Sequence, residues 1–152
     1  MRKITINNFS FIPYLLLFFS VTSILHAQIK IVSTSDAPAA IGPYSQAVVS
    51  GNLVFCSGQI ALDPVTMQIV GEDIESQTRQ VFKNIKAVLK AENLDLSNIV
   101  KCTVFMKNLD DFGKMNTVYA EEFGSNKPAR STVQAARIPR DVLIEIECIA
   151  VK

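Results

Sequence analysis

The chain has 152 residues, 49% of them hydrophobic, and its 15 basic and 14 acidic residues give a formal net charge of +1. A near-neutral chain does not favour binding to nucleic acid, because the phosphate backbone dominates affinity for such ligands. The only histidine is His26. Ser-His-Asp catalysis, Cys-His catalysis and histidine-ligated zinc are therefore excluded for any mature protein that begins after it.

The first 27 residues have the order of a secretory signal peptide. Arg2 and Lys3 precede an almost wholly apolar run over residues 9–25, and Ala27 then supplies a small residue. This order predicts export and cleavage after Ala27. A retained membrane anchor is the alternative, but the apolar run falls short of the roughly 20 residues that a spanning helix needs. We therefore expect residues 28–152 to act in the periplasm or as a secreted protein, without membrane attachment.

Removal of 27 of the 152 residues leaves 125, a normal size for one domain. Loss of Arg2 and Lys3 leaves 13 of the 15 basic residues against 14 acidic ones, a net charge of −1. The cysteines are Cys56, Cys102 and Cys148, an odd number at wide spacing, each in a β-like run. Neither a disulfide framework nor a metal knuckle is indicated, and we expect buried thiols.

The first half of this domain predicts strands, then a long helix. Residues 29–33 form a short strand, and a loop rich in Pro, Gly and Ala follows, APAAIGPYSQA. The runs QAVVS and LVFCSGQ flank Gly51-Asn52, a hairpin signal, and a loop centred on Asp63-Pro64 leads to Gly71. Residues 73–92 then have helical period, with Asp73 as N-cap. The predicted buried stripe is Ile74, Val81, Phe82, Ile85, Val88 and Leu89.

The second half alternates strands with one more helix. A strand over 98–107 precedes a helix over 111–123, capped by Asp110 and ended by Gly124. The residues expected to point inward are Phe112, Met115, Val118, Tyr119 and Phe123. Strands over 129–136 and 142–151 close the chain. The predicted order is ββαβαββ, with or without the extra first strand. The fold class is α/β (α+β), a mixed four- to six-stranded sheet with two helices on one face.

The last two strands predict that the other face of the sheet is covered by another subunit. Strand residues alternate faces, so one face of the final strand is wholly apolar while Glu145 and Glu147 share the opposite face with large hydrophobic residues. In the preceding strand, Arg130 and Thr132 share a face. These second faces of the last two strands are too apolar for open solvent and too charged for a closed core. They predict a homo-oligomer with a polar pocket.

Seven segments occur in an order that resembles the RidA (reactive intermediate deaminase) family. They are APAAIGPYSQAV, SGQI, NIKAVL, VKCTVFMKNLDDF, NTVYAEEF, PARSTV and IEIECIAV, and the resemblance runs from about Ile29 to Lys152. It implies a chorismate-mutase-like fold, a homotrimer and active sites in clefts between subunits. The implied activity is hydrolysis of 2-iminopropanoate or 2-iminobutanoate to the 2-keto acid and ammonia, without a metal or organic cofactor.

The resemblance also assigns roles to particular residues. Arg130 of PARS matches the arginine that grips the substrate carboxylate, which a planar guanidinium does through two parallel hydrogen bonds. Glu145 matches the carboxylate that positions and activates water, and Glu147 is assigned a structural role. The substrate-binding positions are Tyr44, Ser57, Gly58, Asn116, Arg130 and Thr132. Thr132 stands where many relatives have cysteine, and its backbone N–H can still meet the substrate carboxylate.

Two other functions remain open from the sequence. A non-catalytic binder of small carboxylates would use Arg130 without turnover, but Glu145 would then repel its ligand. Some relatives are described as ribonucleases or translation inhibitors, which the charge of −1 and the export signal disfavour.

Overall fold

Six strands form one mixed sheet in the order β1-β2-β3-β6-β4-β5 in the computed structural model, which describes residues 28–152. The strands are β1 (Ile29–Val32), β2 (Ala47–Ser50), β3 (Leu53–Ile60), β4 (Ile99–Met106), β5 (Ala129–Gln134) and β6 (Ile144–Val151). All neighbours are antiparallel except β4 and β5, which are parallel. The extra first strand is therefore confirmed. The predicted signal peptide lies outside the described residues.

Helix α1 (Ile74–Lys90) follows its sequence pattern closely. Asp73 is the N-cap, and its side chain accepts a hydrogen bond of 2.8 Å from the Ser76 N–H. All six residues of the predicted stripe are buried. Neither helix among residues 28–152 is long and apolar enough to cross a membrane.

Helix α2 (Phe112–Phe123) begins differently from the prediction. A short 3-10 turn (Leu109–Asp111) precedes it, and the side chain of Asn108 accepts the Asp110 N–H at 3.0 Å. The prediction of Asp110 as the helix cap is therefore wrong, because Asn108 organises the tighter turn first. Phe112, predicted to point inward, is 39% exposed.

The core lies between the helices and one face of the sheet. Cys56, Cys148 and Cys102 are register neighbours across β3, β6 and β4, and all three are free and buried, as expected. The opposite face, which we call the open face, carries Phe55 opposite Ile149. Neither helix packs on the open face, and Phe55 remains 42% exposed.

Candidate active site

Glu145 lies on the open face of β6, opposite Ile60 of β3 and Phe105 of β4. The register of β3 against β6 shifts between Cys56 and Gln59, which places Ser57 and Gly58 in a bulge beside this carboxylate. A Cβ added to Gly58 would overlap Oε1 of Glu145. Glycine is therefore required at residue 58 for the carboxylate to occupy its observed position.

The surroundings of Glu145 favour its protonated form. The side chain is half-buried, and no salt bridge within residues 28–152 involves it. Burial raises the pKa of the Glu145 carboxyl, and the like charge of Glu147 raises it further. A carboxylate with a raised pKa accepts a proton more readily near neutral pH, which suits a general base.

A cleft of about 390 Å³ opens in front of this carboxylate. It is lined by Ile41, Tyr44, Ser57, Gly58, Ile60, Pro139, Glu145 and Glu147. The hydroxyl of Ser57 donates to the Ser45 carbonyl at 2.6 Å, so its proton is already engaged. The Tyr44 hydroxyl accepts the Ile41 N–H at 3.3 Å, which leaves its own proton free to donate into the cleft.

Gln46 fixes the loop that carries Tyr44, a role that the sequence analysis missed. Its side chain is buried, its Nε2 donates to the Pro38 carbonyl at 2.8 Å, and its Oε1 accepts the Thr34 N–H at 2.6 Å. The buried amide of Gln46 thus satisfies backbone groups near the start of the loop, at Thr34 and Pro38, and ties its end back to its beginning. In the sequence, Gln46 is a lone glutamine beside a predicted strand. A polar residue in that position is ordinarily expected to be exposed to solvent.

Arg130 lies at the other side of the molecule, on the edge strand β5. Its Nη2 donates to Oδ1 of Asn116 at 2.9 Å. Its guanidinium carbon lies 4.4 Å from the ring centroid of Tyr119 and 5.6 Å from that of Phe112. Asn116 therefore orients the arginine, and the partly exposed ring of Phe112 lies beside the guanidinium.

A second cleft, of about 370 Å³, borders this arginine. Its lining includes Asn116, Tyr119, Phe123, Pro128 and Arg130. Burial raises the pKa of the Tyr119 hydroxyl, so the ring stays neutral and offers its π-face to the cation.

Thr132 follows Arg130 on the same face of β5. Its Oγ1 is buried and has no hydrogen-bond partner among residues 28–152. The Ala135 N–H donates to the Met106 carbonyl of β4 at 2.9 Å. Because successive backbone N–H groups of a strand point to opposite sides, the N–H of Thr132 points away from β4, along the free edge of the sheet.

The structure does not bring Arg130 and Glu145 together within one chain. Arg130 lies beside Cys102 in the register, on the helix-covered face, whereas Glu145 lies on the open face. Across the sheet, Glu145 is level with Val133 of β5. Val133 is three residues from Arg130 along that strand. That offset corresponds to roughly 10 Å along the strand and roughly 10 Å across it. The prediction that Arg130 lies on the uncovered face of the sheet is wrong. The face depends on the register between β4 and β5, which the sequence of β5 alone does not determine.

The predicted site residues therefore form two groups. Tyr44, Ser57, Gly58 and Glu145 line the Glu145 cleft, while Asn116, Arg130 and Thr132 lie at β5 and α2. No cluster of three or more His, Cys, Asp or Glu side chains able to hold a metal ion occurs within residues 28–152.

Comparisons with known proteins agree on one family. The family model described as Endoribonuclease L-PSP matches residues 34–152. A RutC family protein of Pyrococcus horikoshii is 54% identical over 123 residues, which cover 81% of this chain and 98% of that protein. The chloroplastic Reactive Intermediate Deaminase A of Arabidopsis thaliana is 50% identical over 121 residues, covering 80% of this chain and 65% of that protein.

A solved structure confirms the fold. The crystal structure of Escherichia coli TdcF with bound serine is 46% identical to this chain, with a TM-score of 0.76. It covers 81% of this chain and 98% of TdcF. The prediction of a chorismate-mutase-like fold, with two helices on one face of a mixed sheet, is confirmed.

Proposed function

The chain belongs to the Endoribonuclease L-PSP family, to which the RutC and RidA proteins also belong, and from this premise we propose that it hydrolyses 2-imino acids to 2-keto acids and ammonia. The name of the Arabidopsis relative supports deaminase chemistry. The observation that carries the proposal is the pair of unlike groups, a guanidinium held by Asn116 and a carboxyl with a raised pKa that is fitted against Gly58. We propose 2-iminopropanoate and 2-iminobutanoate as substrates.

We further propose that three copies assemble so that the Arg130 edge of one subunit faces the Glu145 cleft of the next. Each cleft alone holds only half of the required chemistry, and the two groups lie on opposite faces of the sheet. The partly apolar open face, with Phe55 and Ile149 adjacent, needs a cover that neither α1 nor α2 of the described residues provides. Structural relatives in this family are trimers, which supports the same assembly here.

In this arrangement Arg130 binds the α-carboxylate of the substrate. Asn116 engages one N–H of Nη2, and the other guanidinium donors remain for a bidentate contact. The outward N–H of Thr132 supplies a further donor at the same edge. TdcF has serine bound, a small molecule that also carries an α-carboxylate.

Glu145 then acts on water. Protonation of the imine nitrogen makes the carbon of the C=N bond electrophilic. As the oxygen of a water molecule bonds to this carbon, Glu145 accepts a proton from that water. The C=N bond becomes a single bond in a tetrahedral intermediate. Glu145 returns the proton to nitrogen, and the C–N bond breaks with release of ammonia. As the C=O bond forms, Glu145 accepts the remaining hydroxyl proton, which then passes to ammonia to give ammonium. Tyr44 donates a hydrogen bond to the ligand in the same cleft.

The test is the rate of pyruvate and 2-ketobutyrate formation from imines generated in situ by an amino-acid oxidase. The protein would comprise residues 28–152, and the uncatalysed hydrolysis would be subtracted. We expect Arg130→Lys, which keeps the charge but loses the bidentate geometry, to raise KM strongly. Glu145→Gln should keep carboxylate binding and lose turnover. Normal turnover in both variants would place the site elsewhere.

The name of the Endoribonuclease L-PSP family also suggests ribonuclease activity. Residues 28–152 carry a net charge of −1 and no histidine, so an electrostatic footprint for RNA and the commonest general acid-base side chain are both missing. We therefore propose a small-molecule substrate and no nucleic-acid partner. A gel-shift with single-stranded RNA at moderate salt tests this, and tight binding would favour the ribonuclease.

The remaining alternative is a non-catalytic binder of small carboxylates. It would bind pyruvate or serine through Arg130, with no acceleration of imine hydrolysis by an intact oligomer. Calorimetric titration with pyruvate, run beside the rate assay, separates the binder from the enzyme.

A further inference from the structure

Three of the four non-glycine residues with positive φ among residues 28–152 meet at one place. They are Met67 (φ 56°), Arg140 (φ 63°) and Asp141 (φ 57°), whereas the fourth, Asn93, lies just after α1. This left-handed backbone is unfavourable for residues with a Cβ. Such residues persist only where the surrounding contacts hold them, and they concentrate at functional sites.

Side chains brace the segment Arg137–Asp141 from both ends. Arg137 donates two hydrogen bonds to the Asp141 carboxylate, from Nε at 2.8 Å and from Nη2 at 2.9 Å. Between them, Ile138 is buried and anchors the segment in the protein. The Nη2 of Arg140 donates to the Met67 carbonyl at 3.3 Å, which joins the segment to the loop over residues 62–70.

That loop is itself fixed to α1. The carbonyl of Leu62 accepts hydrogen bonds from Nε2 of Gln80 at 3.0 Å and from Nδ2 of Asn84 at 2.9 Å, and both side chains are buried. The carboxylate of Asp63 accepts the Val65 N–H at 3.0 Å, which stiffens the loop before Met67. A continuous set of contacts therefore runs from the helix to Arg140.

We infer that the segment Arg137–Asp141 is a positioning element that holds Pro139 as a fixed wall of the Glu145 cleft. Pro139 lines that cleft together with Glu145 and Glu147. A proline wall is apolar, has no N–H and cannot relax far, so it restricts water around the carboxylate and limits the orientations of the substrate. The inference rests on the proposed function, because Glu145 is the group that the wall serves.

Two variants test the wall and its brace. Pro139→Ala removes the ring. Arg140→Gly introduces a glycine, which tolerates positive φ, and removes the hydrogen bond to the Met67 carbonyl. We expect each to lower kcat/KM roughly tenfold, because small displacements of a bound substrate are costly, with the larger effect on kcat. Asn93→Gly is the matched control, since it relieves the same backbone conformation far from the cleft and should leave kcat and KM unchanged.

A pH profile separates positioning from a structural role. The titratable groups that line the cleft with Glu145 are Glu147 and Tyr44. If the wall restricts water, Pro139→Ala and Arg140→Gly should lower the pKa of Glu145 and move the acidic limb of kcat/KM to lower pH, while both variants stay folded. Wild-type kcat, KM and acidic limb in both variants would overturn the inference.

A second readout does not depend on turnover. The Glu145 carboxyl can be titrated by carbon NMR in the wild-type protein and in Pro139→Ala. A lower pKa in the variant supports the wall even if the wild-type protein hydrolyses no imine, which would count against the proposed function alone. An unchanged pKa overturns the wall.

Discussion

The guanidinium carbon of Arg130 lies 4.4 Å from the ring centroid of Tyr119, so a buried aromatic residue of α2 supports a cation at the edge of the sheet. The hydrogen bond to Asn116 sets the rotation of the same group. Together they fix a guanidinium in place before any ligand arrives, which reduces the entropy that carboxylate binding must overcome.

Replacement of Tyr119 should therefore weaken substrate binding more than the chemical step. Tyr119→Leu removes the π-face and should raise KM roughly threefold to tenfold, equivalent to about 1 kcal/mol. Tyr119→Phe keeps the ring and removes a hydroxyl without a hydrogen-bond partner in the described chain, so KM should stay near the wild-type value. Steady-state kinetics with circular dichroism as the folding check measures both. An equal KM in the two variants would contradict the role of the ring.

Gly58→Ala should damage the active site through Glu145. The new Cβ would overlap Oε1, so the carboxylate must leave its observed position. We expect kcat to fall at least roughly tenfold and the protein to lose about 1–3 kcal/mol of stability. Gly113→Ala is the control, because nothing lies within 4 Å of a Cβ there and alanine favours the helix by about 0.5–1 kcal/mol. Urea unfolding and the imine assay would be run on both.

The rate should depend on pH through Glu145. As a base, Glu145 acts only when it is ionised. Burial raises the pKa of its carboxyl, and the like charge of Glu147 raises it further. The rate should therefore fall with decreasing pH around a midpoint above the ordinary glutamate value. Glu147→Gln removes the like charge and should move this midpoint to lower pH. A midpoint that stays fixed or rises would exclude the proposed coupling.

Stability should change in the opposite sense to activity in Glu145→Gln. Since the folded-state pKa is raised, protonation favours the fold, and this contribution is lost as pH rises through that pKa. The glutamine of the Glu145→Gln variant does not ionise, so this variant does not become less stable in this way as the pH rises. Its thermal midpoint should exceed that of the wild-type protein at neutral pH, with the difference closing as pH falls below the raised pKa.

Local patterns predicted the helices and the core well. The apolar stripe of α1 follows from the spacing of its apolar residues. The cap follows from Asp73 and a residue three positions further on. Both features are properties of one short segment. The buried state of Cys148 follows from alternation along β6. These features needed no knowledge of neighbouring strands.

The face occupied by Arg130 could not be predicted in this way. Alternation places Arg130 and Thr132 together, but only the pairing of Arg130 with Cys102 shows that they face α2. Gln80 and Asn84 were missed for a related reason. Their polar side chains are buried because they bind the Leu62 carbonyl, a partner about 20 residues away whose position depends on the whole fold.

We propose export on sequence grounds, and it can be measured independently of activity. The protein produced with its first 27 residues should be recovered outside the cytoplasm with an N-terminus at Gln28. Leu16→Arg places a charge within the apolar run and should leave an uncleaved product in the cytoplasm. Intact-mass spectrometry of each cell fraction gives the result. A full-length wild-type product in the cytoplasm would remove the proposal.

The proposed trimer makes activity depend on a residue outside both clefts. Phe55 lies on the open face beside Ile149, is 42% exposed and lines neither the Glu145 cleft nor the Arg130 cleft. Phe55→Glu would place a charge in the proposed interface at little cost to the isolated subunit. We expect a folded monomer in sedimentation measurements that has lost imine hydrolysis, because Arg130 and Glu145 then belong to separate molecules.

Val65→Glu is the matched control for that experiment. Val65 is 87% exposed on the loop over residues 62–70, so the same change there should leave both the trimer and its rate intact. A monomeric Phe55→Glu protein with wild-type turnover would show that one chain suffices for catalysis. Since the two groups lie on opposite faces of the sheet, that result would also require a different partner for Arg130 or for Glu145 in the reaction.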